Sequence, residues 1–301
     1  MTINANHYPS GRAGRMATAC LLLSGCATVP PPTANEVAAP EFSIENTLTG
    51  DFNNYLQTWQ QNVDEVDVPY PNLEFGFQRL DATVDVGDAL LAERRVIGQP
   101  ELTVRRVLVR TPESTATRYL AFRLVEGSTV PLDRSDLLRD AACDISWFRS
   151  AETFTAVDID GGCPLLEDIS ALRLTETQLT ATLGGAKWDF KKARQFKGWM
   201  GVKRQRWDQT AADDDWVFMS KFMIHNEGQI VQLVEKDGSP TGYAIQLERL
   251  VYQNTRTPVL KLGLVDETSQ KTITYTWSEP GSALLGMNLR WFQVGLTALD
   301  E

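Results

Sequence analysis

Histidine is almost missing from this chain. Only His7 and His225 occur among 301 residues, so a site built on several histidines, the usual cradle of a catalytic zinc, is excluded. A Ser-His-Asp triad would have to rest on His225, and nothing around it resembles a nucleophile elbow; the expectation is a structural histidine. The four cysteines contain no C-x-x-C pair, which removes the common redox and zinc signatures. Positive charge is in deficit, 29 Lys and Arg against 39 Asp and Glu, for a formal net charge of -10. A phosphate backbone would be repelled by such a field, so nucleic acid is not an expected partner. The longest N-terminal apolar run, residues 17–23, falls short of the roughly 20 residues that a spanning helix needs. No internal repeat is evident.

What is present begins with the leader. Arg12 and Arg15 precede that apolar run, and Ser24-Gly25 follow it, the order of a secretory signal over residues 1–25. Leu23-Ser24-Gly25-Cys26 resembles the lipobox of bacterial lipoproteins, in which the cysteine thiol takes a diacylglyceryl group; Cys26 is the expected lipidation site. Pro30, Pro31 and Pro32 exclude a helix there, and residues 26–45 read as the lipidated cysteine and a flexible tether. The expectation is a body held by a lipid anchor at a membrane of the bacterial envelope, on the periplasmic side of the outer membrane. Cys143 and Cys163 remain, and an even pair in an exported protein reads as a disulfide.

With 43% hydrophobic and 23% charged residues the body can bury a core. Residues 46–63 carry Leu48, Phe52, Tyr55, Leu56 and Trp59 at helical spacing, which predicts one amphipathic helix. Beyond Pro71 the period shortens to two. Strands are predicted at 73–80, 89–97, 103–110, 119–126, 143–148, 154–159, 172–174 and 178–183, separated by Gly, Pro and Asp turns. Their spacing favours a closed up-and-down antiparallel barrel, in a mainly β protein, over residues 46–207. Further strands over 208–301 either complete the barrel or make a second small β domain, with the boundary at 207–216. Asp213-Asp214-Asp215 is a solvated turn, since calcium loops alternate their ligands; no metal is expected.

Three blocks carry a resemblance. LTGDFNNYLQ (48–57), LLAERRVIGQPELTVRRVLVR (90–110) and AACDISWFRSAETFTAVDIDGGC (141–163) resemble, in order and spacing, the CpcT/CpeT family of phycobiliprotein chromophore lyases. The family's glutamine after its acidic residue is Arg94 here, and the tyrosine before its arginines is Val104. The resemblance implies a lipocalin-like barrel, with a flanking N-terminal helix, that holds a linear tetrapyrrole and transfers this bilin to a cysteine of an acceptor protein, without a required cofactor. Bilin propionates pair bidentately with guanidinium, and a carboxylate suits the pyrrole N–H groups. Glu93, Arg94, Arg106 and Arg110 are therefore the candidate ligand-binding residues. Phe75, Phe77, Trp147 and Phe122 are candidates to line the cavity. Alternation puts Arg106, Leu108 and Arg110 on one face, either inside the barrel or outside it. Three functions follow: an envelope-anchored carrier of a tetrapyrrole or other apolar small ligand, an active bilin lyase, or a structural envelope protein that binds another protein through its β surface.

Overall fold

The computed structural model describes residues 42–67, 70–83, 85–111, 116–157, 159–204, 215–252 and 257–299. Cys26, the leader, residues 27–41 of the expected tether, Asp213 and Asp214 lie outside these residues; Ile44 and Glu45, expected in the tether, instead begin a helix. The compact unit Glu41–Glu301 is mainly β.

Its first part is a closed barrel of ten antiparallel strands. They are β1 (Gly50–Asn53), β2 (Leu73–Leu80), β3 (Ala89–Val96), β4 (Gln99–Thr111) and β5 (Thr117–Leu124), then, past the short β6 (Leu137–Arg139), β7 (Ile145–Ser150), β8 (Thr153–Val157), β9 (Ile169–Thr175), β10 (Gln178–Leu183) and β11 (Ala186–Lys192). Strand β1 pairs with both β2 and β11, and the β4–β5 pairing closes the ring, which leaves no exposed edge in it. Alternation decides the inside. Leu73, Phe75 and Phe77 of β2, Leu90 and Ala92 of β3, Trp147 of β7, and Trp188 and Phe190 of β11 all enter one buried core, while their strand neighbours face out.

The predicted single helix over 46–63 is corrected: the chain forms α1 (Ile44–Leu48), strand β1, and α2 (Tyr55–Val63). Ser43 caps α1, accepting a hydrogen bond from the Asn46 N–H at 3.2 Å. Gly50, with φ of 126°, then breaks the helix. Leu48 and Phe52 both reach the barrel core, so helical spacing was satisfied by a helix end followed by a strand. Phe122 is also corrected: it lies in a separate cluster outside the barrel wall with Val107, Val109, Leu132 and Leu137, and the guanidinium of Arg134 sits 4.8 Å from its ring centre.

Where β5 exchanges one partner, β6, for another, β7, the Asp140 N–H reaches the Ala121 carbonyl at 2.9 Å and the Asp144 and Arg139 side chains supply further bonds to Ala121. Asp144 Oδ1 accepts the Ala121 N–H at 2.9 Å, and Arg139 Nη1 donates to the Ala121 carbonyl at 3.0 Å.

The chain leaves the barrel at Ala193-Arg194, earlier than the boundary expected at 207–216. Strands β12 (Gln195–Lys203), β13 (Trp216–His225), β14 (Glu227–Val234), β15 (Pro240–Val251), β16 (Pro258–Asp266), β17 (Lys271–Ser278), β18 (Leu284–Asn288) and β19 (Phe292–Ala298) form two four-stranded sheets, β13-β12-β19-β18 and β14-β15-β16-β17. Phe196, Met200 and Phe222 of one sheet share an apolar core with Leu247, Leu260 and Leu262 of the other.

Candidate functional site

Leu108 is buried in the barrel core, so the face it shares with Arg106 and Arg110 points inward. The four-residue interval separates the two arginines by about 13 Å along the strand. Each guanidinium sits at a rim beside a carboxylate. Arg106 Nε lies 2.6 Å from Asp140 Oδ2, and Arg110 Nη1 lies 2.9 Å from Glu45 Oε1. Arg94, also on the inward face of its strand, meets Glu167 at 2.8 Å and the Pro164 carbonyl at 3.3 Å. Between these rims the barrel is filled: Phe75, Phe77 and Trp147 are packed core residues. Two buried indole N–H groups, of Trp147 and Trp188, have no hydrogen-bond partner among the described residues.

Glu93 does not join the inward arginines. It stands opposite Arg105 in the ladder, pairs with that residue, and lies 3.8 Å from Arg95 on the outer surface. There it lines a 310 Å³ cleft with Asp51, Gly76, Arg95 and Gln195.

Of the expected ligand-binding residues, Arg110 alone opens onto a cleft of about 660 Å³ at one mouth of the barrel. α1 contributes Glu45, the end of β2 contributes Arg79, and β5 contributes Tyr119. The Tyr119 hydroxyl is 3.3 Å from Glu45 Oε1. Burial and the Glu45 charge push the phenol well above its ordinary range, so it stays a neutral donor. Arg79 Nη2 is 2.5 Å from Asn46 Oδ1. Arg79 was legible in principle, because it continues the alternation of Phe75 and Phe77; Glu45 lies before the first recognised motif. The same mouth carries Glu45, Asp81 and Asp88, and Arg110 Nη1 lies 3.9 Å from Asp88 Oδ2 as well as beside Glu45; a guanidinium that exchanges such a partner for a ligand can hold an anionic group. Cys143 and Cys163 are joined, with Cα atoms 4.7 Å apart, and offer no free thiol. Among the described residues, no group of three or more His, Cys, Asp and Glu is placed to hold a metal ion.

A second polar cluster lies where the barrel meets the C-terminal strands. His225 Nε2 is 2.9 Å from Glu74 Oε2, and Arg95 Nη2 is 2.9 Å from Glu74 Oε1 and 3.0 Å from Asp51 Oδ1. Burial, then the Glu74 charge, push the Asp51 carboxyl up. Tyr55 of α2 donates to Glu248, which Lys261 Nζ approaches at 2.8 Å. Glu227 pairs with Arg249, and burial pushes its carboxyl up to about 8. Gly228, at φ of 77°, lies directly under the Tyr55 ring, where a Cβ would come within 2.4 Å of a ring carbon. These groups fasten one part of the fold to the other, and none of them lines the mouth cleft.

No helix among the described residues is long and apolar enough to cross a membrane. No protein-family model matches the chain, and no curated protein matches it significantly.

Proposed function

We propose that the protein is an envelope-anchored, lipocalin-like binding protein that holds a small amphipathic ligand with anionic groups at the mouth of its barrel. A tetrapyrrole is the ligand class implied by the resemblance. The observation that carries this reading is the inward turn of Arg110 into a 660 Å³ cleft beside Arg79 and Tyr119. Its volume falls within the roughly 300–1,000 Å³ of small-molecule sites. The guanidinium suits a propionate, the phenol adds a neutral donor, and the packed aromatics below set a floor, so the ligand lies across the mouth and not along the barrel axis.

The test is an absorbance titration of the full chain with phycocyanobilin and, separately, haem. A saturable, shifted band that Arg110→Ala weakens at least tenfold supports the reading; flat spectra with both ligands overturn it. Lyase activity would add one step, addition of an acceptor thiol across an exocyclic carbon–carbon double bond of the bilin with the thiol proton passing to the other carbon, and is read by incubating bilin-loaded protein with a cysteine-containing acceptor.

A further inference from the structure

The outer face of the sheet β13-β12-β19-β18 has a construction that packing does not require. Phe196, Met200 and Val202 turn into the shared core, so Lys197, Trp199, Gly201 and Lys203 turn outward. In the ladders, Trp199 stands opposite Gly295 on one side and Ser220 on the other, and Gly201 stands opposite Phe218 and Gln293. Both rings lean onto these glycines. A Cβ at Gly295 would come within 2.6 Å of the Trp199 indole nitrogen, and one at Gly201 within 2.6 Å of the Phe218 ring. The side chains are thus laid on bare backbone, and their upper faces remain open: Trp199 is 44% exposed and Phe218 56%. Trp216 stacks beside Phe218, with centroids 5.6 Å apart and planes 17° apart, and Lys203 Nζ lies 5.7 Å from the Trp216 ring.

The strands of this face carry charge of one sign, although the cleft beside Trp216 and Phe218 also holds Glu235 and Asp237, balanced there by Arg204 and Lys236. In a chain of net charge -10, these four strands contain Lys197, Lys203 and Lys221 and no aspartate or glutamate. Lys197 has no ion-pair partner among the described residues. Polar side chains that can hydrogen-bond hydroxyl groups, Gln293 and Asn288, occupy the same face, opposite each other in the ladder.

The geometry points to a binding site for an acidic polysaccharide, with pyranose rings lying on Trp199 and Phe218 and the anionic substituents meeting Lys197 and Lys203. The negative face of an aromatic ring attracts the polarised C–H groups on the apolar side of a sugar ring. Rings already held by their glycine floor lose little freedom on binding. The two ring positions are diagonal neighbours, about 7–8 Å apart by sheet geometry, wider than one ring contact; the site therefore takes a chain of sugars. A lipid surface fits less well, because interfacial side chains must sink about 5–10 Å into the headgroup region, and these lie along the sheet. Single-stranded nucleic acid also stacks on aromatic platforms, but it brings one phosphate per nucleotide against three lysines on an otherwise acidic protein. A glycan charged on only some rings matches that supply.

The experiment is affinity electrophoresis of the full chain through gels containing alginate, a polyuronate, or dextran, a neutral glucan, with oligo-dT and phosphatidylglycerol vesicles as further probes. Alginate is expected to retard the protein strongly and to change its tryptophan fluorescence. Trp199→Ala is expected to weaken alginate binding at least tenfold. Lys197→Glu/Lys203→Glu, which leaves both glycine-seated rings in place, is expected to weaken it by a similar factor. Near-UV circular dichroism checks that each variant is folded. Absence of retardation by alginate, equal retardation by dextran, tighter binding to oligo-dT or to vesicles, or alginate binding that survives the lysine reversal would each overturn the proposal.

Discussion

His225 Nε2 lies 2.9 Å from Glu74 Oε2, both side chains almost sealed from solvent. The pair joins the end of β13 to the outer face of β2. The Glu227 N–H donates to His225 Nδ1 at 3.2 Å, which leaves Nε2–H to donate to the carboxylate, and Asn53 Nδ2 adds a second bond to Glu74 at 3.3 Å. Removing His225 deletes one hydrogen bond to a buried carboxylate that Arg95 and Asn53 still hold, at a cost of about 1.5–3 kcal/mol. His225→Ala is expected to lower the urea midpoint accordingly, and Glu74→Gln on that background to recover part of the loss. Unchanged unfolding in His225→Ala would mean that the two parts of the fold are held together elsewhere.

Acid sensitivity should pass through Glu74. Burial opposes its charge, but the His225 hydrogen bond, with Arg95 and Asn53, holds its carboxyl below the ordinary value of 4.5. A depressed carboxyl contributes stability above its unfolded value and loses it as pH falls through the folded one. The wild type is therefore expected to lose stability below about pH 4.5 more steeply than Glu74→Gln. Thermal melts between pH 3 and 7 test this, and parallel curves would remove Glu74 from the account.

Glu227 works in the opposite sense. Burial raises its carboxyl from 4.5 to about 8, with Arg249 and Lys191 only partly offsetting the effect. A raised carboxyl favours the fold below its unfolded value, and that advantage is lost as pH rises toward 8, on the order of a few kcal/mol over the window. Glu227→Gln, neutral throughout, should flatten the decline between pH 5 and 8. Melts of the two proteins that run parallel across that range would count against a neutral Glu227.

The barrel was legible because its strands alternate cleanly; Phe75 and Phe77 against Glu74 and Gly76 need only period two to find the inside. The stretch from Leu48 to Trp59 was not, because spacing of three and four fits both a helix and the helix–strand–helix observed. Pairing of β1 with β2 and β11 overrode the local preference. The passage to the second part was hidden because β11 ends at Lys192 and β12 begins at Gln195, with no glycine or proline between them. In the candidate site, the shared face of Arg106 and Arg110 followed from alternation, but its direction depended on Leu108 reaching the core. Glu93 was grouped with them because it stands at the acidic position of the resemblance, whereas its register partner Arg105 places both on the outer face. His225 was read as structural, but its contact with Glu74 depends on a fold-level approach that no local pattern records.

The Cys143–Cys163 bond closes a loop with a sequence separation of 20. It ties together the short 3-10 turns Ala141–Cys143 and Pro164–Leu166; the second of these supplies the Pro164 carbonyl that Arg94 contacts. Restricting an unfolded loop of that length is worth about 3 kcal/mol. Cys143→Ala/Cys163→Ala is expected to lose that much in urea unfolding, and reductant is expected to shift the wild type but not the double variant. A reductant effect on both would place its action outside this bond.

The end cleft and the barrel core make separable predictions. Phe75 meets Phe190 edge to face, with centroids 5.1 Å apart and planes 75° apart, deep in the core. Phe75→Ala is expected to cost about 3–5 kcal/mol while leaving bilin affinity nearly unchanged at a temperature where the variant is still folded. Arg110 is 43% exposed in its side chain and paired with Glu45, so Arg110→Ala should cost no more than about 1 kcal/mol of stability and yet weaken ligand binding at least tenfold. Urea melts and absorbance titrations on the same two variants separate the cases. A ligand whose affinity falls with Phe75→Ala and survives Arg110→Ala must enter among the core aromatics, which would move the site from the mouth into the barrel.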